Sequence, residues 1–264
     1  MSELLELLEG SCILLSLAFL VYASWGDFKT REVDNKVWAI FAPLAFLLTA
    51  LHYILLPEDL FYSYVLPFIV AFALSLVVFY AGGFGGADAK ALICLSLALP
   101  QYPRYFLESP IGYLPLLFPL SVFINSVFLA SFSVVYVLLR NFLWKYRNNK
   151  KMFEGFEKES LGHKILVLLS GYKVNIAELE KKNYLYPLED LDARTEKKKK
   201  LIAIPKDDER EKIVSRLLEA KRDGQIQDDV WATPGLPMLV FITAGLVVAL
   251  VFGDILWTIL YSIL

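Results

Sequence analysis

Long apolar segments constrain this chain more than any other feature of its sequence. A helix needs about 20 mostly apolar residues to cross about 30 Å of hydrocarbon. Six candidate segments lie at 7–25, 37–56, 62–82, 89–101, 112–140 and 236–262. The fourth is short and ends at Pro100 and Gln101. The sequence therefore predicts an all-α polytopic membrane protein with six transmembrane helices.

The charged residues are concentrated in one part of the chain. Residues 141–235 hold 20 of the 26 Lys and Arg and 17 of the 28 Asp and Glu. A region of this length can fold on its own. We therefore expect the first five helices of a membrane domain over 1–142 and a soluble subdomain over 143–233. The last helix, over 234–264, would complete the membrane domain.

The sequence of this insertion before the last helix predicts a small α+β subdomain. Residues 201–204 and 230–231 have the apolar character of strands. Residues 207–222 open with acids and place their apolar side chains on one helical face, and Gly224 is the expected stop. The lysine run 197–200 is interpreted as a solvated linker, with anionic lipid or a partner protein as the alternative.

The basic residues predict the orientation in the membrane. Lys and Arg in short loops stay in the cytoplasm, and the first, third and fifth loops hold 25 of the 26. We therefore expect these loops, with the soluble subdomain, to be cytoplasmic and both termini to be outside. Three glutamates, Glu3, Glu6 and Glu9, lie at or before the start of the first apolar segment, where a secretory signal would be basic, so this segment is expected to remain as the first helix.

Composition argues against several classes of protein. The formal net charge is −2, whereas a nucleic-acid-binding chain has a basic surplus. The two cysteines, Cys12 and Cys94, lie far apart in apolar segments, and the two histidines form no HExxH pattern. We therefore predict no metal, no other cofactor and no nucleic-acid partner. The oligomeric state is not predicted by these features.

Two aspartates are the most informative polar residues. Asp27 follows the first apolar segment and Asp88 opens the fourth, so the predicted topology places both at the cytoplasmic boundary. A carboxylate at the edge of the hydrocarbon is costly to desolvate and usually has a function or a partner. Two adjacent carboxyl groups share a proton and can take different roles. One can deprotonate a water that attacks a peptide carbonyl while the other polarises the carbonyl oxygen, as an aspartic protease requires.

Each aspartate also has a simpler interpretation. Four glycines between 82 and 86 would let an extended peptide approach the backbone near Asp88. The alternative is a flexible turn with Asp88 as the N-cap of the following helix. Asp27, close to Lys29 and Arg31, can be part of a solvated loop. The residues alone leave these alternatives open.

Three motifs carry a resemblance to a known family. The sequence GGADAK over 85–90 resembles the archaeal variant of the GxGD-type motif, and DFKTREVDN over 27–35 resembles the other signature of type IV prepilin peptidases. TPGLP over 233–237 resembles the entry to the last helix in archaeal members. In order and spacing, nearly the whole chain resembles an archaeal preflagellin (prearchaellin) or type IV prepilin-like leader peptidase.

The resemblance implies a function and a site. The catalytic pair falls on Asp27 and Asp88. The substrate would be a precursor archaellin or pilin-like protein, cut at the cytoplasmic face of an archaeal cell membrane between a short basic leader and a hydrophobic helix. The other motif or substrate-binding candidates are Gly85, Gly86, Ala87, Lys90, Arg31, Glu32 and Asp34. For Arg31, Glu32 and Asp34, an ordinary positive-inside loop is an equal alternative. The cysteine-rich zinc loop of many bacterial relatives is missing, so their N-methylation activity is not carried over.

Two rival functions remain. A GxGD-type intramembrane protease cuts within transmembrane helices and needs its second aspartate inside a span, whereas we expect Asp27 in a polar loop. A non-enzymatic transporter or assembly platform needs polar groups near the bilayer midplane, where only Asp254 and Asn125 qualify. Asp254 is interpreted as a structural acid, and Asn125 as a hydrogen-bonding residue between helices.

Overall fold

The computed structural model describes residues 2–55, 61–82, 85–104, 106, 117–192, 198–202 and 209–263. These residues form two compact units. The helical unit comprises Met1–Ala130 and Pro237–Leu264, and the mixed unit comprises Ser131–Leu236. The predicted domain boundaries stay a prediction. Parts of the predicted strand 201–204, of the predicted helix 207–222 and of the glycine-rich turn lie outside the described residues.

Long apolar helices build the helical unit. They are α1 (Ser2–Thr30), α2 (Asn35–Leu55), α3 (Leu66–Tyr80), α4 (Gly86–Ala98), α5 (Phe118–Ser131), α10 (Met238–Phe252) and α11 (Ile255–Ile263), with a π-helical turn at Phe61–Val65 before α3. The helices α1, α2, α4 and α10 pack on one another. Their shared core includes Leu20, Phe41, Leu95 and Leu246, all completely buried. This core fixes the ends of α1 and α4, where the two aspartates lie.

Four helical segments are long and apolar enough to cross a membrane. They are Glu3–Thr30, Asn35–Leu55, Tyr62–Tyr80 and Phe118–Asn148. The helices α4 and α10 have only 13 and 15 residues, and about 20 are needed to span the hydrocarbon. The prediction of a mostly helical membrane protein with a small sheet region is confirmed, but the count of six spans is not.

The last apolar segment, predicted as one helix over 236–262, is broken at Gly253. Gly253 has φ +71°, in the left-handed region that favours glycine. The Asn125 side chain accommodates the break: its Nδ2 donates to the Gly253 carbonyl oxygen at 2.8 Å, and its Oδ1 accepts from the Ile255 N–H at 3.0 Å. Asp254 Oδ1 accepts from the Trp257 N–H at 3.1 Å and caps α11. Asn125 therefore hydrogen-bonds between helices, as predicted.

The mixed unit is an α+β arrangement. Its elements are α6 (Ser133–Asn148), α7 (Leu161–Ser170), β1 (Tyr172–Asn175), α8 (Ile176–Lys181), β2 (Leu185–Pro187), β3 (Glu189–Asp192), β4 (Lys198–Leu201), α9 (Arg210–Arg222) and β5 (Asp229–Pro234). Antiparallel β5 lies between β1 and β2, and β3 pairs with β4. The predicted strand at 230–231 is part of β5. Gly224, with φ +69°, follows the end of α9 as expected.

The interpretation of the lysine run as a solvated linker is wrong. Residues 198–201 form β4, which pairs antiparallel with the acidic strand β3 and sets Lys200 opposite Asp190. Opposite charges on facing strand positions stabilise such a pair. The predicted strand therefore starts and ends earlier than 201–204, because its pairing depends on an acidic segment that lies elsewhere in the sequence.

Candidate active site

Asp27 lies in the last turn of α1. We predicted it in a polar loop after a span ending at 25, but α1 continues to Thr30 and ends where Arg31 adopts φ +61°. The Asp27 Oδ2 accepts a hydrogen bond of 3.3 Å from the Leu239 N–H, in the first turn of α10. The N-terminus of a helix carries partial positive charge, so it is a suitable hydrogen-bond donor for a carboxyl group.

Two hydroxyl groups hold α1 and α10 together beside Asp27. Ser24 Oγ donates to the Leu239 carbonyl oxygen at 2.9 Å and lies 2.7 Å from Thr243 Oγ1. Sequence reasoning missed Leu239, Ser24 and Thr243 as parts of the site. The TPGLP motif did indicate the start of α10, but a partner more than 200 residues away from Asp27 in sequence has no local signal.

Asp88 lies in the first turn of α4 and is 9% exposed. The Gly85 N–H donates to its Oδ2 at 2.9 Å, so the carboxylate closes a capping arrangement at the start of the helix. The N-cap residue of α4 is Gly85 and not Asp88, which lies at the third helical position and caps the helix through this bond. A cap does not require burial, however, so burial is the feature that separates Asp88 from an ordinary N-terminal acid.

Burial raises the pKa of the Asp88 carboxyl from its ordinary 3.8 to about 7. Asp88 precedes the predicted fourth segment and lies outside the four candidate spans. The hydrogen bond from Gly85 opposes this rise, and the negative charge of Asp27 adds to it. The two aspartates, from α1 and α4, are therefore close enough to interact electrostatically. A proton on Asp88 near neutral pH makes it available as an acid.

The other residues of the GGADAK motif differ in their exposure and in their contacts. Lys90 is exposed, and its Nζ donates to Asn35 Oδ1 at 2.6 Å, which ties α4 to the start of α2. Ala87 is partly buried against the core of the helical unit. A Cβ atom on Gly85 would lie 3.2 Å from Asp88 Oδ2, whereas among the described residues the contact of one on Gly86 would be with Phe79 at 3.8 Å.

The loop between α1 and α2 presents its acids to solvent. Glu32 and Asp34 are exposed. Asp34 Oδ1 accepts from the Lys36 N–H at 2.9 Å and so supports the start of α2. Arg31 is the member of this group that acts on Asp27. Substrate contacts by Arg31, Glu32 and Asp34 stay a prediction.

The described residues contain no cluster of three or more His, Cys, Asp or Glu side chains that could hold a metal ion. Cys12 and Cys94 are buried and free. The chemistry available at the aspartates is proton transfer by two carboxyl groups, one buried and one supported by a helix N-terminus.

Comparison with known proteins identifies the family. The model of the type IV leader peptidase family matches residues 14–137, and that of the archaeal peptidase A24 C-terminus, type II, matches residues 163–255. A preflagellin peptidase from Methanococcus voltae is 30% identical over 248 residues, which cover 91% of this chain and 94% of that protein.

Two further relatives agree. Preflagellin peptidases from Methanococcus maripaludis and Methanocaldococcus jannaschii are each 26% identical over 243 residues, which cover 89% of this chain and 92% and 91% of theirs. The predicted resemblance is confirmed over about nine-tenths of the chain. The chain therefore belongs to the type IV leader peptidase family and is a membrane protease.

Proposed function

We propose that this protease removes the short basic leader from preflagellin (archaellin) or type IV pilin-like precursors, with Asp27 and Asp88 as its catalytic pair. The observation that supports the pair most directly is electrostatic: Asp88 is buried, its pKa is raised to about 7, and the charge of Asp27 contributes to that rise. Burial next to a like charge is the arrangement by which enzymes separate the roles of two carboxyl groups.

The contacts of the two carboxyl groups suggest their roles. Asp27, whose Oδ2 accepts a hydrogen bond from the Leu239 N–H, acts as the base and takes a proton from a water molecule. The resulting hydroxide attacks the scissile carbonyl carbon while Asp88 gives its proton to the carbonyl oxygen. When the tetrahedral intermediate collapses, Asp27 passes its proton to the leaving amine and Asp88 recovers a proton from the oxygen. Both carboxyl groups return to their starting states, and one water is consumed.

The surroundings suit a peptide that enters from the cytoplasmic side. Gly85, the N-terminal neighbour of α4, has no side chain to obstruct the approach to Asp88. The acids Glu32 and Asp34 are exposed in the preceding loop and would attract a basic leader. The cytoplasmic placement follows from the basic residues of the predicted inner loops, and the product would be a mature N-terminus that begins with its hydrophobic helix.

The test is cleavage of a purified preflagellin or pilin precursor in detergent with a metal chelator present. Wild type, Asp27→Asn and Asp88→Asn are compared after each is shown to be folded. The matched control is Asp254→Asn, which changes an acid of the same unit that caps α11. We expect wild type and the control to cleave and both aspartate variants to fail. Full activity in either aspartate variant would remove that residue from the pair.

The position of the cut separates the proposal from the intramembrane-protease rival. Mass spectrometry of the product should place the cut between leader and hydrophobic helix. A cut inside the hydrophobic helix would favour the rival. The rival needs its second aspartate inside a span, and Asp27 lies at the end of α1 instead of in a polar loop. If wild type cleaved no precursor, the assembly-platform alternative would gain support.

A further inference from the structure

An exposed apolar face runs along α7 of the mixed unit. Leu161, Ile165, Leu166 and Leu169 are 78%, 54%, 52% and 37% exposed. Their spacing puts them on one side of the helix. Val167, on the opposite side, is completely buried in the core of the unit. A surface helix in water would carry polar residues on its outer side, so this face requires an apolar environment.

The position of α7 indicates which environment that is. Asn141 of α6 donates from its Nδ2 to the carbonyl oxygens of Leu168, at 3.1 Å, and Gly171, at 2.8 Å. These bonds hold the C-terminal end of α7 against α6. Residues 109–139 contain no charged residue, and Arg140 is the first after them. The hydrocarbon region is therefore expected to end near Arg140, which sets the end of α7 at the level of the lipid headgroups.

Positive charge follows Arg140 along the rest of α6 and beyond its end. An open groove of about 610 Å³ near the end of α6 is lined by Phe142, Lys145, Tyr146, Asn149, Lys150 and Lys151. Over 140–164 the sequence has seven Lys and Arg against three Glu. Aromatic and basic side chains together are typical of the membrane–water interface, and lysine clusters attract anionic lipids.

We propose that α7 is an interfacial helix, with its apolar face inserted at the boundary between headgroups and acyl chains and the lysines of the groove bound to anionic headgroups. A symmetric contact with a second copy of the chain is the less favourable occupant, because it would bring the two lysine-rich regions together. The bilayer supplies both the apolar layer and the opposite charge. The mixed unit thus has a second membrane contact besides α6.

The test uses the full-length protein in vesicles of phosphatidylcholine and phosphatidylglycerol. Cys12 and Cys94 are replaced by Ala, and a fluorescent label is attached at Leu166→Cys. Ser215→Cys, exposed on α9, is the matched control. We expect brominated lipid to quench the Leu166 label severalfold more than the Ser215 label, and aqueous iodide to show the reverse. Iodide quenching at Leu166 equal to that at Ser215 would place the face in water and overturn the proposal. A label quenched by neither agent would indicate a protein contact and overturn it as well.

The lysine contribution has its own test. In the Leu166→Cys protein, Lys145, Lys150 and Lys151 are changed to Gln together. In mixed vesicles, we expect the triple variant to show less bromolipid quenching than the parent protein. In vesicles of pure phosphatidylcholine, the variant and the parent protein should show equal quenching. Unchanged quenching in mixed vesicles would contradict binding of anionic headgroups by these lysines.

Discussion

Asp88 in the helical unit and Glu189 in the mixed unit are both buried carboxyl groups, but their partners differ. Glu189 is 1% exposed, and its Oε2 accepts from Lys173 Nζ at 3.3 Å and from the Trp231 N–H at 2.9 Å. Asp88 accepts one N–H bond and is subject to the negative charge of Asp27. Glu189 thus contacts a cation, whereas burial is the main effect on Asp88 and the charge of Asp27 is a smaller one.

We propose that this difference separates a structural acid from a functional one. A buried carboxylate next to a lysine is neutralised by its partner and contributes to a defined core. A carboxyl group whose pKa is raised by burial is characteristic of functional sites. Burial alone therefore does not identify a catalytic acid, and the contacts of the carboxyl group must be considered with it.

The largest expected effect is on cleavage. Asp88→Asn keeps an acceptor for the Gly85 N–H but cannot donate the carboxyl proton. We expect kcat to fall about 10²- to 10⁴-fold, the usual contribution of a general acid or base. Glu189→Gln should keep kcat, normalised to folded protein, close to wild type. Initial rates on a purified precursor check this, and equal losses in the two variants would contradict the distinction.

Next in size is the stability of the mixed unit. Glu189→Ala leaves Lys173 buried without its carboxylate partner, so we expect a loss of about 3–5 kcal/mol in the free energy of unfolding. The double variant Lys173→Met with Glu189→Leu removes both charges and should lose less. Hydrogen exchange of the β5 amides measures the effect. If the double variant were no more stable than the single one, the ion pair would not explain the loss.

Asp88→Asn should stabilise the helical unit at alkaline pH. Because the folded-state pKa is raised from 3.8 to about 7, the folded protein holds a proton that the unfolded chain has released, and stability falls as pH rises between these values. Asparagine cannot ionise and avoids this loss, up to about 4 kcal/mol above pH 7. Thermal unfolding at pH 4 and pH 8 tests the sign: the gain should appear at pH 8 and vanish at pH 4.

The pH dependence of cleavage should follow the same group. Above about pH 7, Asp88 loses the proton that polarises the scissile carbonyl, so kcat is expected to fall about tenfold per pH unit. Asp254→Asn should show the same profile. A rate that stays constant up to pH 9 would exclude Asp88 as the acid.

The smallest expected effect concerns two neighbouring glycines. A methyl group on Gly85 would lie 3.2 Å from Asp88 Oδ2, closer than a normal contact, whereas one on Gly86 would be at an ordinary distance from Phe79. We expect Gly85→Ala to lower kcat about three- to tenfold by displacing the carboxyl group. Gly86→Ala should have little effect. The reverse order would show that Gly85 does not position Asp88.

Much of the architecture was predictable because its signals are local. Apolar segments indicated a mostly helical membrane protein, and four of them are helices long enough to span a membrane. The GGADAK and DFKTREVDN motifs indicated the family. Where these predictions fell short, the cause was a distant residue: Asn125 supports the break at Gly253, and the acidic strand β3 turns the lysine run into β4.

The partners of the acidic residues could not be predicted from the sequence. Glu189 and Lys173 resemble the many surface charges of the insertion, and nothing near them in sequence indicates that they pair in a core. Asp27 likewise receives its hydrogen bond from Leu239, far along the chain.

The sequence by itself determined which segments are apolar enough for a membrane, which region is rich in charge and which aspartates are candidates, because these are properties of neighbouring residues. Only the tertiary structure decided that Asp88 is buried and subject to the charge of Asp27, and that Glu189 is buried in contact with Lys173. Burial and charge pairing depend on side chains that meet only after the chain has folded.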